Sequence, residues 1–234
     1  MMEKIMKRTK TERVRIKEAI KRHKKEVYTP VVPDMQMGFI HHNVDCIGCR
    51  ACEIACKDKN GLSTGPRFRR VQYVEGGTYP DVFAYKVNVS CNHCAKPACL
   101  PACPTGAIFK RKKDGVVDID STLCIGCRRC EAACPYGAPQ FDMASNTVKK
   151  CNMCVDELDV GRDPYCVAAC MMRVLDVGPI DLLRKNLYET KAVSKFDKVN
   201  VVRQVKNFAD PALTNPSIVF VASRHGKVVQ PKEE

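Results

Sequence analysis

The sequence predicts an α+β fold in which short β-hairpins and helical turns carry cysteine-rich loops. Three observations predict this fold. The 16 cysteines fall into four regularly spaced runs, and none lies outside them. Each run is followed by a short segment rich in β-branched and aromatic residues, which is typical of a strand. Residues 1–36 and 191–234 hold no cysteine, so they are expected to form extensions beyond the cysteine-bearing body.

The third run has the spacing C-x2-C-x2-C-x3-C-P and extends from Cys124 to Pro135. Bacterial ferredoxins ligate [4Fe–4S] clusters with this spacing, and the fourth cysteine binds the other cluster of a two-cluster unit. The first three cysteines are expected on a tight loop, and the fourth, Cys134, on the short helix that follows. A run of this kind therefore predicts a partner run elsewhere in the chain.

The other three runs vary this pattern. Residues 46–56 repeat the spacing, with Lys57 in the place of the proline. Residues 91–103 contain a two-residue insertion and end in Cys-Pro, whereas residues 151–170 contain a longer insertion and are followed by Met171. Because the four runs use every cysteine, four [4Fe–4S] clusters are predicted.

The pairing of the runs predicts two nested ferredoxin-like double-cluster units. One predicted hairpin separates the second and third runs, and both end in Cys-Pro, so these runs are expected to form the inner unit. The first and fourth runs both lack the proline and are expected to form the outer unit. Exchange of the fourth cysteine within each pair predicts four ligand sets: Cys46, Cys49, Cys52 and Cys170 (cluster 1); Cys56, Cys151, Cys154 and Cys166 (cluster 2); Cys103, Cys124, Cys127 and Cys130 (cluster 3); Cys91, Cys94, Cys99 and Cys134 (cluster 4). Tandem pairing, first with second and third with fourth, is the alternative.

The predicted organisation follows from this pairing. Residues 1–36 form a basic N-terminal extension that is expected to be helical. Residues 37–90 and 142–190 form the outer unit, and residues 91–141 form the inner unit. Residues 191–234 form an extended, proline-containing tail that is expected to wrap a surface of the chain itself or of a partner.

The N-terminal extension carries a helix pattern. Thr9 and Glu12 predict a capping box, in which the side chain of each residue accepts a hydrogen bond from the backbone N–H of the other. Pro30 and Pro33 end the pattern. One helical face is expected to hold Ile16, Ala19, Ile20, His23 and Val27. Two interpretations stay open: a solvated basic tail, or a helix that docks on a partner subunit or an acidic lipid surface.

The remaining elements follow in chain order. Strands are expected at residues 37–41, 69–75, 82–90, 107–110, 116–119, 140–141, 147–149, 173–177 and 218–222. The dipeptide Asp114-Gly115 predicts a hairpin between its flanking strands. Helical segments are expected at residues 53–57 and 179–187, the second opened by Pro179 at its first turn.

Composition excludes several classes of protein. No run approaches the roughly 18 apolar residues of a membrane span, and the basic N-terminus lacks the apolar region of a secretory signal. Cysteines two residues apart are poorly placed for disulfides with one another, and zinc knuckles need no third and fourth cysteine at such regular offsets. The net charge of +13 suggests nucleic acid, but four clusters with a net charge of about −2 each would offset about eight positive charges.

The order of the four runs resembles the iron–sulfur electron-transfer subunit of the dimethyl sulfoxide reductase family. The resemblance covers about residues 37–187, including the insertions in the second and fourth runs. The stretches that carry it are Cys91-Asn92-His93-Cys94, Cys124-Ile125-Gly126-Cys127-Arg128, Cys134-Pro135-Tyr136-Gly137-Ala138-Pro139-Gln140 and Val177-Gly178-Pro179-Ile180-Asp181.

This resemblance implies a non-catalytic subunit that carries four [4Fe–4S] clusters. Its partners would be a molybdenum or tungsten bis-pterin catalytic subunit and a membrane anchor subunit that exchanges electrons with quinone. The implied order is cluster 1, 2, 3 and then 4, with cluster 1 toward the catalytic subunit. The implied location is a peripheral, membrane-associated complex, either on the periplasmic face through co-export with the catalytic subunit or in the cytoplasm. A free-standing polyferredoxin is the alternative function.

No residue of the chain is predicted to be catalytic, since the sequence holds no nucleophile–base set, phosphate loop or C-x2-C-H haem site. Cys127 predicts [4Fe–4S] rather than [3Fe–4S] for cluster 3. His93 is interpreted either as a participant in proton or electron exchange or as a satisfied structural histidine; His41 and His42 are expected to be structural. The basic residues beside ligands could raise cluster potentials, dock a partner or remain solvated: Arg50, Lys57, Arg128 and Arg129.

Overall fold

The computed structural model describes residues 9–28, 31–43, 45–185, 201–203, 205 and 208–221. The helices are α1 (Lys10–Tyr28), α2 (Ala51–Lys59), α3 (Arg129–Ala133), α4 (Val155–Leu158), α5 (Tyr165–Ala168), α6 (Ile180–Arg184) and α7 (Pro211–Thr214). The strands are β1 (Met37–His41), β2 (Arg70–Thr78), β3 (Asp81–Val89), β4 (Ile108–Lys110), β5 (Val117–Ile119), β6 (Gln140–Asp142), β7 (Thr147–Lys149), β8 (Leu175–Pro179), β9 (Val201–Val202) and β10 (Ile218–Val221). This mixture of short helices and strands agrees with the predicted α+β fold class.

A four-stranded sheet with the order β8-β1-β10-β9 joins distant parts of the chain. Strand β1 pairs antiparallel with β8 and parallel with β10, where Phe39 lies opposite Ile218. The four side chains of β10 are all apolar and buried, which explains why this strand lies inside the sheet. The predicted strand is therefore confirmed, but this part of the tail is a core element rather than a surface wrapping. Residues 186–200 and 222–234, which include the rest of the predicted tail, lie outside the described residues.

Three antiparallel hairpins complete the fold. Strands β2 and β3 pair from Arg70 opposite Val89 to Thr78 opposite Asp81, so the ladder continues through the two glycines that the sequence suggested as a connection. Shorter ladders join β4 to β5 and β6 to β7, and each follows one of the cysteine runs. All three hairpins were predicted and are confirmed.

The predicted helix in the N-terminal extension is confirmed as α1. The backbone N–H of Thr9 donates to Glu12 Oε2 at 2.7 Å, and the N–H of Glu12 donates to Thr9 Oγ1 at 3.3 Å, which completes the capping box. Ala19 and His23 are buried, and a Cβ at Gly106 would lie 2.6 Å from the backbone oxygen of Ala19. One face of α1 therefore packs on the chain itself, although the side chain of Val27 lies outside the described residues.

The apolar core forms two main clusters. The larger cluster joins β1, β8 and β10 to the β2–β3 hairpin, with Phe39, Val87 and Ile218 among its most buried members. The smaller cluster lies under α1 and the β4–β5 hairpin. Strand β8 starts two residues later than predicted, and α6 follows Pro179 as expected. The cysteine loops lie on and between these clusters.

Candidate iron–sulfur centres

The first and third cysteine runs form tight loops of the same shape. Gly48 has a φ of 74° and Gly126 a φ of 70°, both in the left-handed region that favours glycine. Arg50 and Arg128 both have a φ of 61° and stand immediately before α2 and α3. These residues turn the chain sharply, so that two cysteines lie on the loop, the third lies in the first turn of the helix, and the fourth follows within or just after the helix.

Four cysteines from the second and third runs surround one cavity. The lining of this cavity includes Cys91, Cys94, Cys99 and Cys134. Burial, together with the nearby Cys91 and Cys134, raises the pKa of Cys94 to about 12, although a hydrogen bond with Thr214 acts in the opposite direction. The structure therefore brings together the predicted ligands of cluster 4.

The predicted ligands of cluster 3 surround a second cavity, whose lining includes Cys103, Cys124, Cys127 and Cys130. Burial raises the pKa of Cys130 to about 12, with additional effects from the other three thiols. The backbone N–H of Val148 donates to Cys124 Sγ at 3.4 Å. The predicted ligands of cluster 3 therefore also converge.

The first and fourth runs exchange cysteines in the same way. Burial raises the pKa of Cys46, and the thiols that add to this effect are Cys52, Cys170 and Cys49. Burial also raises the pKa of Cys56, together with Cys151, Cys166 and Cys154. These two groups correspond to the predicted ligand sets of clusters 1 and 2.

The four groups fit an iron–sulfur cluster better than a single metal ion. In the part of the chain that the structure describes, no three His, Cys, Asp or Glu side chains form a group that could hold a single metal ion. Four thiols around a cavity instead suit a cluster whose irons each take one cysteine. All 16 cysteines are free thiols, and the raised pKa values mean that iron must displace a proton as it binds.

Contacts between the groups give their order in space. Cys52 of the first group interacts with Cys166 of the second. Cys151 of the second group interacts with Cys91 of the fourth. Cys99 and Cys103 lie in one core cluster, which links the fourth group to the third. The groups therefore follow one another as cluster 1, 2, 4 and 3.

The expected order of the last two clusters was wrong. Cys91 lies close behind β3, whose Val87 and Val89 pack in the larger core with the four-stranded sheet. The second cysteine run therefore begins next to the cysteine groups of the predicted outer unit. The third run follows only after the β4–β5 hairpin has carried the chain further away. Cluster 3, rather than cluster 4, stands at the far end.

The three histidines that the sequence singled out are all buried. The side chain of His93 is fully buried, and its Nδ1 accepts a hydrogen bond from the backbone N–H of Val117 at 3.1 Å. Burial lowers the pKa of His93 well below its usual value and that of His41 to about 3. His42 is also buried, and burial lowers its pKa. Because His93 is enclosed, its side chain is poorly placed to exchange protons with solvent.

The basic residues that the sequence singled out lie at the surface or bind backbone. Arg50 lies over the ring of Tyr73 at 5.9 Å, and Arg128 over the ring of Phe141 at 5.4 Å. Lys57 donates to the backbone oxygen of Pro66 at 3.3 Å, and Arg129 is exposed.

Sequence reasoning missed three basic residues that are buried beside the cysteine groups: Arg69, Lys110 and Lys150. Lys150 directly precedes Cys151, and this was the only signal for its position. The sequence carried no signal for Arg69, which stands just before β2.

These thiol-lined sites on hairpin-linked loops define an iron–sulfur protein. In agreement, residues 82–180 match the family described as a 4Fe-4S dicluster domain. No helix among the described residues is long and apolar enough to cross a membrane. The protein thus falls in a class that binds [4Fe–4S] clusters.

Comparison with curated proteins identifies the family. The sequence is 44% identical over 201 residues to a chain of anaerobic dimethyl sulfoxide reductase from Escherichia coli (strain K12), which covers 80% of this protein and 97% of that relative. The corresponding relative from Haemophilus influenzae is 45% identical over 166 residues, 67% of this protein and 80% of the relative. A subunit of sulfite dehydrogenase from Allochromatium vinosum is 41% identical over 146 residues, 53% of this protein and 61% of the relative. This chain therefore belongs to the iron–sulfur electron-transfer subunits of the dimethyl sulfoxide reductase family.

Proposed function

We propose that this chain carries four [4Fe–4S] clusters and relays electrons along them within an oxidoreductase complex. The ligand sets are those of clusters 1 to 4 defined above, in two nested units formed by residues 37–90 with 142–190 and by residues 91–141. The observation that supports the proposal is the convergence of 16 free thiols into four groups that adjoin one another in the order 1, 2, 4 and 3. Each cluster supplies one-electron chemistry when bound.

The protein's own residues enclose the clusters and tune them. Asn88 Nδ2 donates to Cys52 Sγ at 3.4 Å, and Asn60 Nδ2 lies 3.7 Å from Cys56 Sγ. The N–H of Val148 donates to Cys124 Sγ. Hydrogen bonds to ligand sulfur stabilise negative charge there, and they therefore raise the reduction potential of the cluster. Burial excludes water from the thiolates and lowers the local dielectric constant.

The protein works with two partners. The relatives described above are named as parts of a reductase and of a dehydrogenase, which supports a place in a multi-subunit complex. A molybdenum or tungsten bis-pterin catalytic subunit meets the cluster 1 end. A membrane anchor subunit, which exchanges electrons with quinone, meets the cluster 3 end. The complex is peripheral and membrane-associated.

The test is anaerobic purification of the protein with its co-expressed partners, followed by assays of iron and acid-labile sulfide. About sixteen irons and sixteen sulfides per chain are expected, with four electron-resonance signals on stepwise reduction. About eight irons, or zinc in place of iron, would contradict the proposal. A stable monomer that never copurifies with a pterin-binding protein would instead indicate a free-standing polyferredoxin.

A further inference from the structure

Arg69 is a charged side chain that is almost completely enclosed, with 1% of its surface exposed. Its Nη1 donates to Asn88 Oδ1 at 2.8 Å, and its guanidinium lies 4.5 Å from the ring centre of Phe39. Nε and Nη2 have no hydrogen-bond partner among the described residues. A buried cation needs compensating negative charge, and neither the amide of Asn88 nor the ring of Phe39 carries one.

The compensation comes from cysteines of two different groups. Burial lowers the pKa of Arg69, but four nearby cysteines, in the thiolate form that ligates iron, outweigh it and raise the pKa overall; they are Cys166, Cys151, Cys52 and Cys56. Asn88, which accepts the hydrogen bond from Arg69, donates through Nδ2 to Cys52 Sγ at 3.4 Å. Cys52 belongs to the ligand set of cluster 1, and the other three belong to that of cluster 2. Arg69 therefore lies at the junction between these two sets.

We propose that Arg69 is a fixed positive charge that raises the reduction potentials of clusters 1 and 2 together. This inference rests on the proposed function. Reduction adds one negative charge to a cluster, and a cation enclosed with it at low dielectric constant stabilises that charge. Because one guanidinium adjoins both ligand sets, it favours the reduced state of each. It also offsets the repulsion between two neighbouring clusters when both are reduced.

Lys150 is a second buried cation, and it lies between the ligand sets of clusters 2 and 4. Its side chain is 5% exposed, and its Nζ donates to the backbone oxygens of Val117 and Cys151, the latter at 2.9 Å. The thiolates around it are Cys91, Cys99 and Cys151, which belong to clusters 4 and 2. A neutral variant at Arg69 should therefore shift the reduction potentials of clusters 1 and 2, whereas a neutral variant at Lys150 should shift those of clusters 2 and 4.

The test compares potentials in the complex purified anaerobically, measured by redox titration with electron-resonance detection. In Arg69→Met, at a fixed potential near the midpoint, the ratio of reduced to oxidised clusters 1 and 2 should fall at least tenfold, a shift of about 59 mV for one electron. Cluster 3 should keep its potential. Arg69→Lys should retain wild-type potentials because it keeps the charge. Lys150→Met should lower the potentials of clusters 2 and 4 and leave cluster 1 unchanged.

Two controls keep the outcome interpretable. Arg67→Met removes a cation whose side chain is 53% exposed, and it should leave all potentials unchanged. Iron content should stay at about sixteen per chain in every variant. If Arg69→Met does not retain iron, Arg69→Gln, which keeps a donor for Asn88, is titrated in its place with the same expected shift.

Wild-type potentials in an iron-replete neutral variant would overturn the proposal. It would also be overturned if Arg69→Lys shifted clusters 1 and 2 as far as Arg69→Met does, because the charge would then not be the cause. These results differ from a failure of the proposed function, which would show as a wild-type protein with fewer than four clusters.

Discussion

The loops of the first and third cysteine runs lie at opposite ends of the line of cysteine groups, yet they share one local design. Both read C-I-G-C-R-x-C-E-x-A-C. Both place glycine and arginine in the left-handed region, and both set the arginine over an aromatic ring from a following hairpin. The same short sequence thus builds the same ligand loop twice.

The two loops differ in what surrounds them. The segments that carry the cluster 1 cysteines expose large apolar side chains: Ile47, Ile54, Met171 and Met172. The cluster 3 loop exposes two cations, Arg128 and Arg129, whereas the cluster 1 loop exposes only Arg50 at the corresponding positions. Exposed apolar surface suits a stable protein interface, whereas exposed charge suits a contact that responds to salt. The comparison shows that the same local sequence builds both ligand loops, whereas the exposed side chains around the two loops differ.

The largest expected effect comes from the loop glycines. A Cβ at Gly126 would lie 2.6 Å from the backbone oxygen of Asn146, whereas one at Gly48 would press against the Tyr73 hydroxyl. Backbone cannot yield easily, but the half-exposed Tyr73 can turn away. Gly126→Ala should therefore lower the free energy of unfolding by about 2–5 kcal/mol. Gly48→Ala should lower it by about 1–2 kcal/mol. Loss of cluster absorbance during anaerobic denaturation measures both.

Gly61→Ala is the matched control for this pair. Gly61 also has a positive φ, of 54°, but a Cβ there would meet nothing within 4 Å. Gly61→Ala therefore reports only the cost of placing alanine at a positive φ. The double variant Gly48→Ala with Tyr73→Phe should lower the free energy of unfolding by nearly the same amount as Gly61→Ala. Equal destabilisation by Gly126→Ala and Gly61→Ala would show that the contact with Asn146 is unimportant.

Replacement of the second cysteine in each loop should remove one iron from one cluster. Cys127→Trp should convert cluster 3, and Cys49→Trp cluster 1, from [4Fe–4S] to [3Fe–4S], because one corner loses its ligand. Iron should fall from about sixteen to about fifteen per chain, with a new electron-resonance signal in the oxidised protein. An unchanged iron count and unchanged signals in Cys127→Trp would contradict the ligand set of cluster 3.

The two loops also show how far sequence alone could reach. Their cysteines, glycines and following hairpins were predictable because each depends on residues close together in the chain, as does the capping box of Thr9 and Glu12. Spacing reports local geometry directly. The family resemblance then supplied the class of partner.

The order of the clusters and the buried cations could not be predicted in this way. The order depends on how β3 packs against the four-stranded sheet, and that sheet includes β10 from near the other end of the chain. Arg69 stands between Phe68 and Arg70. The apolar and polar residues of this stretch alternate no more clearly than those of a strand at the protein surface. Only the tertiary contacts reveal that it is enclosed.

Glu53 and Glu131 occupy the same position in the two loops, but they should contribute unequally to the stability of the fold. Glu53 is buried and accepts a hydrogen bond from the backbone N–H of Val71, which ties α2 to β2. Glu53→Ala leaves that donor without its partner and should cost about 1–3 kcal/mol. Glu131 instead makes a surface ion pair with Arg128 at 2.7 Å, and Glu131→Ala should change stability little. Urea unfolding of the two variants under identical conditions measures the difference; equal costs would contradict it.

The smallest expected effect concerns the exposed apolar side chains near cluster 1. Ile54 is 67% exposed on α2, and under the proposed function it packs against the catalytic subunit. Ile54→Glu would place a charge in that contact and should weaken binding about tenfold, or about 1.4 kcal/mol. Leu213→Glu is the control, because Leu213 is 65% exposed on α7, whose Thr214 lines the cluster 4 cavity instead.

Binding of the purified catalytic subunit to each iron-replete variant measures the effect. Wild-type binding is expected for Leu213→Glu and for Arg129→Glu, which alters the basic loop at the other end. If Arg129→Glu weakened binding and Ile54→Glu did not, the catalytic subunit would meet the cluster 3 end, and the orientation proposed for the electron path would be reversed. The ligand sets would be unaffected, because they depend on cysteine contacts within the chain rather than on either surface.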